Sequence, residues 1–385
     1  MVTAELEKCR EISHWKAEHH ILSVEQLMDK KNKYFKLFKH LYQIIHEQCD
    51  KGPQRKNGEP CFIHPLNVVL NLKRAGIDDG LTLCVGILHD LIEDKVDEFQ
   101  REMTIKAKPL TIRAIRAHEQ KIYQELLQDI KQFCTKKDAE DLVKAAKALT
   151  RTKRTFYYQS IANLFLINHP EMKKRVIQVK LADRTHNILC IEAFNEQQRI
   201  YECFKALFLL NNTKKYLLET YGKDILRKPT NSRTVKLFKK CGKATYDAFL
   251  KICEIQISKD VGKIRSMLQL AFRKFAYEKA GLWDITRLDS KEVHLMRLFQ
   301  GVIRKYDARL LQDYETYHER IKNETEYCKR FFADYHFSDK DIQAILDYKD
   351  AYSLKEVVAK LLYDYHYVLP RFLAKDLSKQ GKIKG

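Results

Sequence analysis

Two short words hold most of the chemistry this 385-residue chain can do, His89-Asp90-Leu91-Ile92-Glu93-Asp94 and Lys180-Leu181-Ala182-Asp183-Arg184-Thr185-His186-Asn187. His89 and Glu93 are four apart, as are Asp90 and Asp94, so on a helix all four side chains project toward one side. The second word adds a carboxylate, Asp183, and an amide, Asn187, again four apart. A third fragment, Arg55-Lys56-Asn57-Gly58-Glu59-Pro60 followed by His64-Pro65, contributes another imidazole. Hydrolysis of a phosphoanhydride needs an activated water and neutralised phosphoryl oxygens, and a divalent metal supplies both. Mixed imidazole and carboxylate ligands suit Mn²⁺, Fe²⁺ or Zn²⁺, whereas an all-oxygen set would favour Mg²⁺. Each residue alone has an ordinary explanation. His64 before proline reads as a cap, Asp183 as a partner of Arg184, and Glu93-Asp94 as a solvated helix end. Taken together, they point to a metal-dependent phosphohydrolase.

The three fragments, in this order, resemble the HD-domain hydrolases of the RelA/SpoT kind, which remove the 3′-pyrophosphate of ppGpp and pppGpp. That family carries a basic pair before Ser-Gly-Glu-Pro and a histidine-proline, then Leu-Leu-His-Asp-x-x-Glu-Asp, then Lys-Leu-Ala-Asp-Arg-x-His-Asn. Here the words read Arg55-Lys56-Asn57-Gly58-Glu59-Pro60 with His64-Pro65, Ile87 to Asp94, and Lys180 to Asn187. The likeness covers about residues 25 to 200. It implies that His64, His89, Asp90 and Asp183 ligate one divalent metal, most often Mn²⁺, with Fe²⁺ or Zn²⁺ as alternatives. Two histidines and two aspartates leave room for water and substrate, as a catalytic site requires.

By the same resemblance, Glu93 and Asp94 are the catalytic acid and base that orient or deprotonate the attacking water and protonate the leaving group. Arg55 and Lys56 match the basic clamp on the substrate, and Asn187 matches an asparagine close to the nucleotide. A guanidinium can stack on a purine and fork onto phosphate, whereas an ammonium acts as a point charge. Asn57 replaces the family serine, and Lys95 stands where the family has threonine. Lys153, Arg154, Tyr157 and Tyr158 follow Leu149-Thr150 and vaguely match a family segment, as phosphate or base contacts or as plain helix surface. The implied reaction is (p)ppGpp 3′-pyrophosphohydrolysis releasing pyrophosphate and GDP or GTP, with a metal-activated water attacking phosphorus. The alternatives are an HD phosphohydrolase for another nucleotide, or an alarmone- or RNA-binding regulatory protein.

Stepping from these words to what must position them, the chain has only 12 Gly and 7 Pro, too few for many short strands. Apolar residues recur at helical spacing, as in Tyr34, Leu37, Leu41, Ile44 and Ile45, or Ile21, Leu22 and Leu27. Pro65 is placed to open a helix to Lys73. Asp78-Asp79-Gly80 precedes an apolar helix over Leu81–Leu91 that ends by presenting His89 and Asp90. Lys173–Asn187 reads as another, with Val176, Ile177, Val179 and Leu181 facing inward. The charged stretch 96–133 departs from the family pattern, and Ile112, Ile115, Ile122, Leu126, Leu127 and Ile130 give it a helical rhythm. The fold expected is all-α, an HD-domain helical bundle over 1–225 with a helical insertion at 96–133, then a helical C-terminal domain over 226–385. Arg227-Lys228-Pro229-Thr230-Asn231-Ser232 is the candidate linker. There is no glycine-rich phosphate loop, and no counterpart of the synthetase motifs of the family's longer members.

The formal charge of +20 favours polyanionic partners. A guanine nucleotide alarmone fits, and so does an RNA or protein partner for the basic C-terminal half. The first ten residues lack the apolar core of a signal peptide, and no apolar run is of membrane length, so a cytoplasmic location is expected. The ten cysteines are scattered without a C-x-x-C pair and are expected to be reduced.

Overall fold

A computed structural model describes residues 16–50, 52, 54–106, 111–151, 156–227, 231–279, 293–378, 381 and 383. Among them the regular structure is helical, apart from one isolated bridge between Leu377 and Ile383. The all-α expectation holds. Lys153 and Arg154 lie outside the described residues.

The helices run α1 (Val24–Leu27), α2 (Phe35–Asp50), α3 (Ile63–Arg74), α4 (Gly80–Leu88), α5 (Leu91–Ile105), α6 (Ile112–Ile130), α7 (Lys136–Leu149), α8 (Tyr157–Phe165) and α9 (Pro170–Leu189). They continue as α10 (Glu196–Tyr221), α11 (Arg233–Gln256), α12 (Gly262–Lys279), α13 (Val302–Leu310), α14 (Tyr314–Phe331) and α15 (Asp339–Tyr363). Local chemistry sets many of the starts. Ser23 and Ser338 close capping boxes, and the side chains of Asp79, Thr111, Thr135 and Asp313 accept from the third residue of their helices. Pro170 opens α9, where its missing N–H costs nothing.

The chain divides into two compact units. Among the described residues, one comprises 16–193, 208–241 and 368–383, and the other 194–207 and 242–367. The expected cut between 225 and 226 falls inside the first unit, and the chain passes between units within α10 and α11.

In the first unit α3, α4 and α9 form the core. All nine residues of α4 are buried. Gly86 sits where a Cβ would come 2.8 Å from a Leu72 methyl, so glycine lets α4 close onto α3. Asn71 of α3 donates to the Ala182 carbonyl of α9 at 3.3 Å. Within 96–133 the described residues form the continuation of α5 and then α6. Ile115, Ile122, Leu126 and Ile130 are buried, whereas Ile112 is exposed and Leu127 half-buried. Phe99 stacks on His118, and His40 pairs with Asp129 at 2.7 Å, which fixes α5 and α6 to the bundle.

Residues 368–378 return to this unit as a strap. Asn211 of α10 donates to the Phe372 carbonyl at 2.7 Å and accepts from Leu369 N at 2.7 Å, and Asn212 accepts from Ala374 N at 2.7 Å. The Phe372 ring packs on Tyr158 and Phe208. The cysteine expectation needs one correction: Cys49, at the end of α2, forms a disulfide with Cys61, their Cα atoms 5.3 Å apart. The loop between them brings the two thiols together, a proximity that no sequence motif announces. Among the described residues this is the one disulfide.

In the second unit α13, α14 and α15 enclose four charges. Lys305 meets Glu324 at 2.6 Å and also contacts Asp350, and Lys349 meets Asp350 at 2.7 Å and also contacts Glu324. Tyr306 donates to Asp350 at 3.1 Å. Burial is tolerable because each charge faces an opposite one.

Candidate metal centre

His64 is the second residue of α3, and His89 and Asp90 occupy a two-residue break between α4 and α5. Asp183, His186 and Asn187 lie within one turn of α9. The helix expected over Leu81–Leu91 ends at Leu88, just before the pair it was expected to present. The break separates the ligand pair from Glu93 and Asp94, which start a new helix in its first turn.

The Nε2 atoms of His64 and His89 are 3.1 Å apart. Asp90 Oδ2 lies 3.0 Å from His89 Nε2 and 3.4 Å from His64 Nε2. Candidate ligand atoms of these three residues all lie within 4.8 Å of one another. Asp183 reaches the two histidines through Oδ1 at 3.3 and 4.0 Å, so it stands beside the compact trio. Its Oδ1 also accepts from Asn187 at 2.6 Å, and its Oδ2 pairs with Lys180 at 2.7 Å. His89 Nδ1 faces the Gly86 carbonyl at 2.9 Å, which accepts its N–H and leaves the Nε2 lone pair for the centre. Two buried imidazole nitrogens aimed at one another beside a carboxylate form a donor set that fits a divalent cation of the Mn²⁺, Fe²⁺ or Zn²⁺ type.

The electrostatics fall into two groups. Burial disfavours charge on His89, yet the Asp90 and Asp183 carboxylates outweigh it and hold the imidazolium up to about 9. Burial likewise opposes ionisation of Asp90 and Asp183, but His89 beside the first and Lys180 beside the second keep both carboxyls well below their ordinary range. Glu93 and Asp94 go the other way. Burial and then the charge of Asp90 push each of them up to about 7. Carboxyls poised near neutrality next to a cluster of metal-type ligands can exchange a proton at working pH. Glu93 also accepts from the backbone N–H of Arg151 at 3.3 Å.

Arg55 is half-buried, its guanidinium 3.5 Å from Asn187 Oδ1, so these two expected substrate contacts sit together at the edge of the centre. Gly58, at φ 79°, makes the turn that carries Arg55. Lys56 is exposed on the same turn. Tyr157 and Tyr158 are neither helix surface nor free stacking faces: both are buried, and the ring of Tyr158 is fully enclosed. One residue was spelled out in the second word without a role. His186 is fully buried, with Nδ1 2.8 Å from His64 Nδ1. Its only sequence signal was its place one turn after Asp183. Burial, then the positive field of His64 and Arg55, hold its imidazole well below its ordinary range, hence neutral.

The family model for the HD domain matches residues 61–188, the stretch that contains His64, His89, Asp90 and Asp183. Relatives extend the likeness. A probable guanosine-3′,5′-bis(diphosphate) 3′-pyrophosphohydrolase of Mycoplasma pneumoniae is 32% identical over 148 residues, 38% of this chain and 17% of that protein. The guanosine-3′,5′-bis(diphosphate) 3′-pyrophosphohydrolase of Aquifex aeolicus is 26% identical over 178 residues, 46% of this chain and 21% of that protein. A Brucella melitensis protein named GTP pyrophosphokinase rsh is 28% identical over 153 residues, 40% of this chain and 17% of that protein. This chain therefore spans about a fifth of the length of these relatives. No solved structure gives a significant match. No described helix is long and apolar enough to cross a membrane.

Proposed function

We propose that this chain is a (p)ppGpp 3′-pyrophosphohydrolase, with one divalent metal, Mn²⁺ foremost, held by His64, His89, Asp90 and Asp183. The observation that carries this is the convergence of His64, His89 and Asp90 within 4.8 Å, with Glu93 and Asp94 in the next helical turn. The names of the relatives support the substrate, and the cluster itself supports a metal-assisted phosphohydrolase.

When bound, the ion would acidify a water and neutralise phosphoryl charge. The protein does the rest. Asp183, braced by Lys180 and Asn187, holds its carboxylate toward both histidines. Glu93, poised near neutrality, takes a proton from the attacking water, and Asp94 returns one to the leaving group. Arg55 stacks on or forks onto the nucleotide, with Asn187 beside it, while Lys56 adds a point charge for the outer phosphates. A cytoplasmic setting goes with such a substrate. The net charge of +20 also supports an RNA or protein partner for residues 226–385, which salt-dependent binding of the full chain to RNA would test.

The test is a panel of ppGpp, cyclic dinucleotides, dNTPs and NADPH incubated with the Mn²⁺-loaded chain. Conversion of ppGpp to GDP and pyrophosphate is expected. Turnover of another member with ppGpp untouched would contradict the substrate and leave the hydrolase class standing.

A further inference from the structure

Metal-binding histidines need one nitrogen with a free lone pair and the other holding its proton against an acceptor. For His89 that acceptor is the Gly86 carbonyl. Among the described residues no carbonyl or carboxylate meets His64 Nδ1. What faces it, at 2.8 Å, is a second imidazole nitrogen, Nδ1 of His186. Nε2 of His186 in turn lies 3.6 Å from Sγ of Cys190, one turn further along α9.

We propose that His186 is the positioning residue of the metal centre: it sets the tautomer of His64 by accepting its Nδ1 proton. The inference rests on the divalent-metal reading above. With that proton on Nδ1, the Nε2 lone pair of His64 is on the side where His89 Nε2 and Asp90 lie. The two Nδ1 atoms can share only one proton, so His186 carries its own on Nε2, toward the Cys190 sulfur, a weak acceptor.

Burial gives this arrangement its force. His186 is fully enclosed and His64 nearly so, which leaves water little access as a substitute acceptor. Asparagine at 186 would place a carbonyl oxygen near the position of Nδ1 and could accept the same proton, whereas alanine or leucine could not.

Two measurements decide it. Mn²⁺ affinity of the full chain is measured by calorimetry for the parent and for His186→Asn, His186→Ala and His186→Leu. A loss of about 10- to 100-fold is expected for Ala and Leu, with Asn close to the parent. Thermal melts in EDTA separate this from folding, because a packing role would follow side-chain volume and leave Asn no better than Leu. Long-range ¹H–¹⁵N spectra of the histidine-labelled parent loaded with diamagnetic Zn²⁺ are expected to place the His64 proton on Nδ1 and the His186 proton on Nε2. Equal Mn²⁺ affinity across the variants, or a His186 proton on Nδ1 in the Zn²⁺-loaded protein, would overturn the inference and leave the metal reading intact. A parent that binds neither ion would overturn the metal reading itself, and this inference with it.

Discussion

Asp183 Oδ1 lies 3.3 Å from His64 Nε2, while the other oxygen of the same carboxylate is held by Lys180 at 2.7 Å. The carboxylate therefore serves both the centre and a buried ion pair within its own helix, since Lys180 and Asp183 are both largely enclosed.

Asp183→Asn should therefore fail twice, lowering Mn²⁺ affinity and leaving Lys180 as an uncompensated buried charge, a loss of about 3–5 kcal/mol of stability. Adding Lys180→Met should restore much of the stability and none of the affinity, as urea melts and calorimetry on both variants would show. Recovery of metal binding in the double variant would argue against a ligand role for Asp183.

Glu93 and Asp94 should make the metal-free protein sensitive to pH. Their folded pKa values, about 7 against ordinary values of 4.5 and 3.8, mean that the folded state keeps protons the unfolded state releases. Their contribution to stability is full below about pH 4 and is lost as pH rises through 7. Glu93→Gln/Asp94→Asn should then stabilise the EDTA-treated protein at pH 8 relative to the parent, by a few kcal/mol in order of magnitude, with little difference at pH 4. The same variant should lose turnover. An equal stability difference at both pH values would contradict the burial and repulsion described.

The strap at 368–378 bears on where this chain can be cut. Phe372→Ala removes a buried ring from Tyr158 and Phe208 and should cost about 3–5 kcal/mol. A chain ending at 225 would also strand the Asn211 and Asn212 side chains, so it should be less stable than the full chain in thermal melts. Full-chain stability in a 1–225 fragment would show that the strap is dispensable.

The Cys49–Cys61 bond ties the end of α2 to the segment that leads into His64, and it encloses the turn carrying Arg55. Cys61→Ser should lower stability by about 2–3 kcal/mol through loop closure. It should also raise KM for the nucleotide more than it lowers kcat. Mass mapping of the native protein should recover the linked peptide pair, and alkylation of both cysteines without reductant would contradict the bond.

Much of the site was legible because it is spelled locally. The words around His64, His89 and Asp183 name the chemistry, and Asp79 announces a helix start through backbone chemistry that needs no tertiary context. The break at His89–Asp90 was not legible, because the apolar run of α4 continues through Leu91 and Ile92 without glycine or proline. The role of Gly86 depends on Leu72 of another helix, and that of His186 on a ring 122 positions earlier in the chain. Tyr158 looked like surface because the residues that cover it, Phe208 and Phe372, come from α10 and the returning strap. Sequence periodicity shows that a face is apolar, not what will cover it.

The most direct test of the central claim is pyrophosphate release from ppGpp by the full chain with Mn²⁺, run beside EDTA and the Glu93→Gln/Asp94→Asn variant. Release that requires the ion and disappears in the variant is the expected result. A folded, Mn²⁺-binding protein that releases no pyrophosphate, or a variant as active as the parent, would contradict it.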